Sequence, residues 1–245
     1  MGARATLALR QAQGDDNSPF GGVKVRTRVK FCGMTSAADV ELAVAAGADA
    51  VGIIVARSSE RYVSAAALPE IFAAVPPFVT AVIVSAGEND VDLAAWARRG
   101  VLLQFSGSEA SAECERMAGG ARYVKAFHVR AEDGVATFDR ASIDAYPRAL
   151  ALIDSSANGA FGGTGRAFDW NLIAELARER PLIVSGGLTP ANVFDCVRTV
   201  RPYAVDVRSG IETAGNKDAA KMRAFIRAVR EADEQTVTVP AMPNV

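Results

Sequence analysis

The sequence LIDSSANGAFGGTGRAFDW, residues 152–170, decides the fold that we expect for the whole chain. An apolar run over 149–153 ends at an acid, Asp154, and a loop rich in glycine and serine follows it. A helical pattern then begins near Asp169, a predicted N-cap because its carboxylate can accept from the free amides of a first helical turn. A strand, an acid, a glycine loop and a helix form one βα unit with polar groups at the strand's carboxyl end.

Units of this kind recur along the chain. Apolar runs lie at 28–31, 50–55, 78–84, 101–104, 123–127, 149–153, 181–184 and 203–207, and most precede a helical pattern. Because the runs are continuous rather than alternating, they predict a parallel sheet covered by helices. Eight such units in about 200 residues favour a (β/α)₈ TIM barrel, with a closed sheet of eight parallel strands, over an open doubly wound sheet. The absence of a GxGxxG motif after the first run agrees with this choice.

Length and composition set the organisation. With 245 residues, 50% of them hydrophobic, the chain can bury the core of a single barrel. We predict a loose N-terminal extension over 1–27, the barrel over 28–234 and a loose C-terminal tail over 235–245. A net charge of -1 predicts neither a nucleic-acid partner nor an anionic membrane surface. No apolar run reaches the roughly 18 residues of a membrane span, and the start does not resemble a secretory signal, so a cytoplasmic location is expected.

Cysteine and histidine are scarce. The three cysteines, Cys32, Cys114 and Cys196, have neither the even number nor the spacing of a disulfide framework or a zinc site. His128 is the single histidine, which argues against a His-based metal centre and leaves a Ser-His-Asp triad dependent on that one residue. A free cysteine is usually a small buried hydrophobe, but Cys32 lies where the first strand ends. We therefore predict no metal and keep Cys32 as a candidate for chemistry.

Glycine-rich loops follow the last two predicted strands. In barrels of this kind a phosphate commonly binds at these two loops, where backbone amides and a helix N-terminus meet the anion. The alternative is that the glycines only permit tight turns, but a third glycine loop on the neighbouring strand favours a phosphate site. The helix after the seventh strand is predicted to begin at Pro190, with Thr189 as its cap. The candidate phosphate-binding residues are Gly163, Gly165, Gly186, Gly187, Ser209 and Gly210.

These positions also carry a family resemblance. KFCGMT at 30–35, SERYV at 59–63, LIDS at 152–155, GGTG at 162–165 and FDW at 168–170 resemble motifs of the phosphoribosylanthranilate isomerase family. SGGLTP at 185–190, DV at 206–207 and SGIE at 209–212 continue the resemblance in the same order. It covers about residues 28 to 230, and the motifs together are highly specific.

The resemblance implies an activity in tryptophan biosynthesis. The family converts N-(5'-phosphoribosyl)anthranilate to 1-(o-carboxyphenylamino)-1-deoxyribulose 5-phosphate by an Amadori rearrangement, with no cofactor. The expected partner is thus a small phosphorylated sugar-amine, and the chain is a monomer or a homodimer. The resemblance implies that Asp154 is the general acid on the furanose ring oxygen and Cys32 the general base at sugar C2. It also implies that Arg61 holds the anthranilate carboxylate, for which a guanidinium is suited, and that Asp206 binds substrate hydroxyls.

This chemistry requires shifted pKa values. A free aspartate titrates near about 3.9 and a free cysteine near about 8.5, so each is in the wrong form at neutral pH. Burial raises the pKa of an aspartate, and nearby amides or helix dipoles favour a thiolate.

Three positions depart from the family pattern, and alternatives remain open. Ser106 stands where a histidine is usual, Arg208 where a small residue is usual, and Glu60 where proline or lysine is common. Arg208 either contacts the phosphate, points into solvent or pairs with Glu212. Besides the isomerase, we consider a paralogue acting on a related phosphoribosylated amine and a non-catalytic barrel that binds a phosphorylated ligand. The related isomerase of histidine biosynthesis is disfavoured because it is expected to use two aspartates, whereas here the first strand ends in Cys32.

Overall fold

The computed structural model describes residues 26–87, 90–132, 135–137, 139–154 and 170–235. Its strands are β1 Arg28–Cys32, β2 Ala50–Ile54, β3 Thr80–Ser85, β4 Leu102–Phe105, β5 Tyr123–His128, β6 Arg130–Glu132, β7 Val135–Thr137, β8 Ala149–Asp154, β9 Leu182–Ser185, β10 Ala204–Val207, β11 Glu212–Thr213 and β12 Asn216–Lys217. Its α-helices are α1 Ala37–Ala46, α2 Leu68–Ala73, α3 Leu93–Arg98, α4 Ser111–Ala118, α5 Arg140–Asp144, α6 Asn171–Glu179, α7 Val193–Val200 and α8 Ala219–Gln235, and Ser209–Ile211 form a 3₁₀ turn.

Eight of these strands close into a barrel. Their order around the ring is β1-β10-β9-β8-β5-β4-β3-β2, and each neighbouring pair is parallel. The predicted (β/α)₈ barrel is confirmed. Two small antiparallel hairpins, β6-β7 and β11-β12, are added to it.

Alternation along each strand separates an inner from an outer face. Along β1, Val29 and Phe31 belong to the core between the sheet and the helices, where Phe31 meets Phe225 of α8 edge to face. Cys32 instead packs with apolar residues of β2 and β3, including Ile54 and Val84, inside the barrel. Because successive strand side chains point to opposite faces, Lys30 shares the inner face with Cys32.

The turn after β1 is fixed by its own sequence. The Ser36 hydroxyl caps α1 by accepting from the amide of Asp39. The Asp39 carboxylate in turn accepts from the amide and the hydroxyl of Thr35, at 2.8 and 2.9 Å. Gly47 ends the helix with a φ of 101°, a left-handed conformation that glycine adopts without a steric penalty.

Several local predictions need correction. The α-helix after β9 begins at Val193, later than predicted, because Asn192 ties the preceding turn together: its side chain accepts from the Thr189 amide and donates to the Gly187 carbonyl. The β6-β7 hairpin was not predicted. Thr27, which the sequence assigned to the loose extension, is bonded through its amide and hydroxyl to the Asp233 carboxylate of α8.

Two other predictions concern the start of α6 and membrane-spanning segments. Asp169 lies outside them, and α6 begins after Trp170. Among the helices that are described, none has the length and apolar character needed to cross a membrane.

Candidate active site

The two candidate catalytic residues end their strands at the same rim of the barrel. Cys32 is the last residue of β1 and Asp154 the last of β8, and β10 and β9 lie between these strands in the ring. Asp154 is in phase with Leu152, which packs inside the barrel, so its half-buried side chain faces the mouth. The structure therefore brings a thiol and a carboxyl group to one mouth, as predicted.

Cys32 belongs to a group of three buried polar side chains, Cys32, Lys30 and Asp206, which we call the inner cluster. The Lys30 ammonium group donates to Oδ1 of Asp206 at 2.9 Å, and both side chains are about 5% exposed. Oδ2 of Asp206 accepts from the Ser185 hydroxyl at 3.4 Å. The Cys32 sulfur and the Lys30 Nζ lie close together, since each is 3.0 Å from the position that a Cβ on Gly52 would occupy.

The charges around Cys32 partly offset its burial. Burial raises the pKa of the Cys32 thiol, the Lys30 and Lys217 ammonium groups lower it, and Asp206 adds to the rise; the net pKa is raised. For Lys30, burial lowers the pKa, but Asp206 and Cys32 outweigh burial and the net pKa is raised. Lys30 therefore stays an ammonium group at neutral pH, while the thiol needs help to ionise.

Arg61 lies beside this cluster and is held by acids. Its Nε and Nη2 donate to the two carboxylate oxygens of Glu212, at 3.3 and 2.5 Å. Its Nη1 donates to the Glu60 carboxylate at 2.9 Å. Glu212 is 5% exposed, whereas Glu60 is 90% exposed. Lys217 also donates to Glu212, at 2.7 Å, and to the carbonyl oxygen of Cys32, at 2.7 Å. Glu212 thus orients Arg61 from the buried side and links it to the end of β1.

The loop that carries Arg61 is attached to the barrel. The amide of Val63 donates to the Ile54 carbonyl at 2.8 Å, and Tyr62 forms a parallel bridge with Ile54. The Tyr62 hydroxyl also donates to the Asp90 carboxylate. The bonds to Ile54 fix the backbone directly after Arg61 relative to β2.

The two predicted phosphate loops adjoin each other at the ends of β9 and β10. Gly186 and Gly187 have φ values of 91° and 64°, a backbone path that favours glycine. A side chain on Gly210 would collide with the Leu188 carbonyl oxygen, so glycine is required for the two loops to pack. Ser209 and Gly210 lie in the 3₁₀ turn that follows β10, the position where (β/α)₈ barrels commonly bind phosphate. Gly163 and Gly165 lie outside the described residues.

Two of the departures from the family pattern have a defined setting. Ser106, which stands where a histidine is usual, accepts a hydrogen bond from the side-chain amide of Gln104 at 3.1 Å. Arg208 is exposed and forms no ion pair with any residue that the structure describes. Its aliphatic stem lies against Gly33, next to the stem of Arg61: Cγ of each side chain is 3.3–3.4 Å from the position of a Cβ on Gly33.

A second buried cluster lies outside the barrel, between the sheet and the helices. This outer cluster contains Cys114, Lys125 and Glu109; the Lys125 ammonium group donates to Glu109 at 3.2 Å and to the Gly107 carbonyl at 2.5 Å. Glu109 also accepts from the amides of Gly87 and Gly107. Burial raises the pKa of the Cys114 thiol to about 11. Burial also raises the pKa of Cys196, in α7.

Sequence reasoning missed three residues of the site: Lys30, Lys217 and Glu212. A signal for Lys30 was available, because a charged residue inside an apolar strand requires a buried partner. Nothing local identified that partner as Asp206. Among the residues that the structure covers, no group of three or more His, Cys, Asp or Glu side chains is placed to hold a metal ion.

A closed barrel with a thiol, a carboxyl group and glycine-rich loops at the carboxyl ends of its strands defines the class of (β/α)₈-barrel enzymes. Within that class, the chain belongs to the N-(5'-phosphoribosyl)anthranilate isomerase family, whose model matches residues 29–228. An N-(5'-phosphoribosyl)anthranilate isomerase from Leptothrix cholodnii is 45% identical over 216 residues, which cover 86% of this chain and 94% of that protein.

Solved structures give the same result. The crystal structure of phosphoribosylanthranilate isomerase from Thermotoga maritima is 33% identical, with a TM-score of 0.71 and coverage of 84% of this chain and 99% of that chain. A crystal structure of phosphoribosylanthranilate isomerase in complex with reduced 1-(o-carboxyphenylamino)-1-deoxyribulose 5-phosphate is 32% identical, with a TM-score of 0.68 and coverage of 84% of this chain and 99% of that chain.

Proposed function

We propose that this protein converts N-(5'-phosphoribosyl)anthranilate to 1-(o-carboxyphenylamino)-1-deoxyribulose 5-phosphate, an isomerase step of tryptophan biosynthesis. The observation that carries the proposal is the joint placement of Cys32 and Asp154 at one barrel mouth in a chain of this family. An aminoaldose needs one proton delivered to its ring oxygen and one removed from C2. A carboxyl group and a thiolate facing one cavity can perform these two transfers.

In the first step Asp154 acts as the general acid. It protonates the furanose ring oxygen as the bond from that oxygen to C1 breaks, and the nitrogen lone pair forms a protonated Schiff base. Asp154 supplies this proton and becomes a carboxylate. Its half-buried position at the mouth suits this role.

In the second step Cys32 acts as the general base. Its thiolate takes the proton from C2; the C2–H electron pair becomes the C1–C2 double bond, and the Schiff-base electrons return to nitrogen. The resulting enolamine becomes the aminoketose when C1 gains a proton and the C2 hydroxyl loses one. Protons balance over the sequence, since the product is an isomer of the substrate.

We infer that Arg61 binds the substrate carboxylate. Glu212 holds one edge of the guanidinium from the buried side, whereas Glu60 on the other edge is almost fully exposed. A substrate carboxylate can therefore replace Glu60 without disturbing Glu212, and a planar guanidinium accommodates two carboxylates. Glu60, at a position where the family pattern differs, would then be the side chain that yields to substrate.

The remaining assignments complete the binding mode. We infer that the phosphate lies at the loops containing Gly186, Gly187, Ser209 and Gly210, with Gly163 and Gly165 contributing from the loop after β8. Each carboxylate oxygen of Asp206 accepts one hydrogen bond, from Lys30 or from Ser185. Each oxygen can accept a second hydrogen bond, which a substrate hydroxyl would donate. The absence of a metal or cofactor requirement, the cytoplasmic location and the state of monomer or homodimer stay predictions.

A turnover assay tests the proposal. Purified protein is mixed with N-(5'-phosphoribosyl)anthranilate made in situ, and the aminoketose is separated by chromatography. We expect turnover that survives exhaustive chelation. Loss of activity on chelation with recovery on metal addition would contradict the cofactor-free mechanism, and binding without turnover would favour a non-catalytic barrel. Faster turnover of another phosphoribosylated arylamine would favour a paralogue.

A further inference from the structure

Lys30 is a charged side chain in the middle of a buried strand. It lies on the inner face of β1 with only 5% of its side chain exposed. An ammonium group removed from water is costly unless it is paired and hydrogen-bonded, so this lysine needs a structural or functional reason.

The Asp206 carboxylate uses only part of the hydrogen-bonding capacity of the Lys30 ammonium group. It accepts one hydrogen bond from Lys30, at 2.9 Å, and its other oxygen accepts from Ser185. A lysine ammonium group has three donors. The thiol of Cys32 lies two residues further along the same face of β1.

The adjacent strand leaves room for this contact. Gly52 of β2 pairs with Cys32 in register, and a Cβ at Gly52 would stand 3.0 Å from both Sγ of Cys32 and Nζ of Lys30. Any larger residue at this position would force the sulfur and the ammonium group to move. Glycine here keeps open the space in which the two groups meet.

We propose that Lys30 is a positioning residue for Cys32: held by Asp206, its ammonium group stands beside Sγ and stabilises the thiolate that accepts the C2 proton. The role assigned to Cys32 rests on the proposed function. Lys30 remains an ammonium group throughout, and the proton moves only between C2 and the sulfur. An ion pair of this kind is a common way to activate a cysteine at neutral pH.

Other charges near Cys32 do not replace Lys30. Lys217 reaches the carbonyl oxygen of Cys32, but its charge is shared with Glu212. Arg61 is likewise bound to Glu212, and the charge of Asp206 opposes ionisation of the thiol. Lys30 is the strongest of the groups that lower the pKa of Cys32.

Arg208 and Asp154 are two further charged residues near the end of β1. Arg208 places its stem against Gly33, the residue after Cys32, and Asp154 ends β8 on the same rim. Neither is changed in the variants below, so their effect on the thiol is constant across the comparison.

The test measures the thiol directly in the full-length protein. The rate at which iodoacetamide alkylates Cys32 is followed against pH by peptide mass spectrometry, together with the pH profile of kcat/KM. The variants are Lys30→Met and Lys30→Met/Asp206→Asn, the second of which avoids an unpaired buried carboxylate. The matched control is Lys125→Met/Glu109→Gln, which removes a buried lysine–acid pair from the outer cluster.

We expect the alkylation midpoint of Cys32 to rise by about one pH unit or more in Lys30→Met. The rise should be smaller in Lys30→Met/Asp206→Asn, because removal of the Asp206 charge favours the thiolate. At neutral pH kcat/KM should fall at least about tenfold because kcat falls. The increase of kcat/KM with pH, which follows ionisation of the thiol, should occur at higher pH than in the wild type. The control should keep the wild-type midpoint. An unchanged midpoint in the Lys30 variants would overturn the proposal, whatever their activity.

If neither Lys30 variant folds, Gly52→Ala carries the test, because it keeps every charge and only separates the two groups. The same upward shift is expected, and an unchanged midpoint contradicts the proposal. Alkylation needs no substrate, so the two proposals can fail separately. If the wild-type protein shows no isomerase turnover but the variants shift the midpoint, the proposed function is refuted and stabilisation of the thiolate by Lys30 stands.

Discussion

The inner and the outer cluster have the same composition, a buried cysteine, a buried lysine and an acid, but different bonding. In the inner cluster the ammonium group of Lys30 and the sulfur of Cys32 lie close together beside Gly52. In the outer cluster the lysine is bonded to Glu109 and to a backbone carbonyl. The thiol of Cys114 contacts the carbonyl oxygen of Glu109 at 3.8 Å, where it can act only as a protonated donor.

Burial and composition therefore do not distinguish the two cysteines. The strand face does: Lys30 points into the barrel near the mouth, whereas Lys125 points toward the helices. The outer cluster connects the loops after β3 and β4, because Glu109 accepts from the amides of Gly87 and Gly107. We therefore assign chemistry to the inner cluster and stability to the outer one.

The largest expected effect separates the two cysteines. Cys32→Ala and Asp154→Asn should each lower kcat by at least the roughly 10²-fold expected for loss of a general base or acid. Cys114→Ala is the control and should retain kcat. Steady-state kinetics of the three folded variants decides the matter; near-normal kcat in Cys32→Ala with an inactive Cys114→Ala would reverse the assignment of the clusters.

The next prediction concerns the outer cluster. Lys125→Met leaves Glu109 buried without its cation, so the free energy of unfolding should fall by about 3–5 kcal/mol. Activity of the folded fraction should stay close to wild type. Urea unfolding gives the first quantity and kinetics at low temperature the second; a stable variant with a strongly reduced kcat would give the outer cluster a catalytic role.

A smaller effect is expected at the rim of the inner cluster. Arg61→Met should raise KM about 10- to 100-fold, the equivalent of a charged hydrogen bond, and spare kcat because the carboxylate keeps its charge during the reaction. Since Arg61 also pairs with Glu212, Glu212→Gln is measured beside it to separate binding from support of the loop. A large loss of kcat at unchanged KM would place Arg61 in the chemical step.

Arg208 should have the smallest effect. Its exposed side chain lies against Gly33 and beside Arg61, so any ionic contact with the substrate is exposed to solvent. Loss of such a contact in Arg208→Ser should raise KM less than about fivefold. The Kd for inorganic phosphate should not change, and any effect on KM should diminish at high salt. A weakened phosphate Kd would instead place the guanidinium at the phosphate loops.

Much of the site could be predicted because its signals are local. The residue that ends each apolar run is visible in the sequence, which placed Cys32 and Asp154 at strand ends. The start of α7 was wrong because the Asn192 side chain, rather than the Thr189–Pro190 pattern, organises the turn.

The sequence by itself determined the alternation of strands and helices, the closed barrel and the residues that end its strands, because these follow from short-range patterns of apolar and polar side chains. Only the tertiary structure decided which charges meet. Lys30 and Asp206 are 176 positions apart, and Arg61 and Glu212 are 151 apart. The alternation of β1 puts Lys30 and Cys32 on one face, but it is closure of the barrel, which makes β1 and β10 neighbours, that adds the Asp206 carboxylate to them.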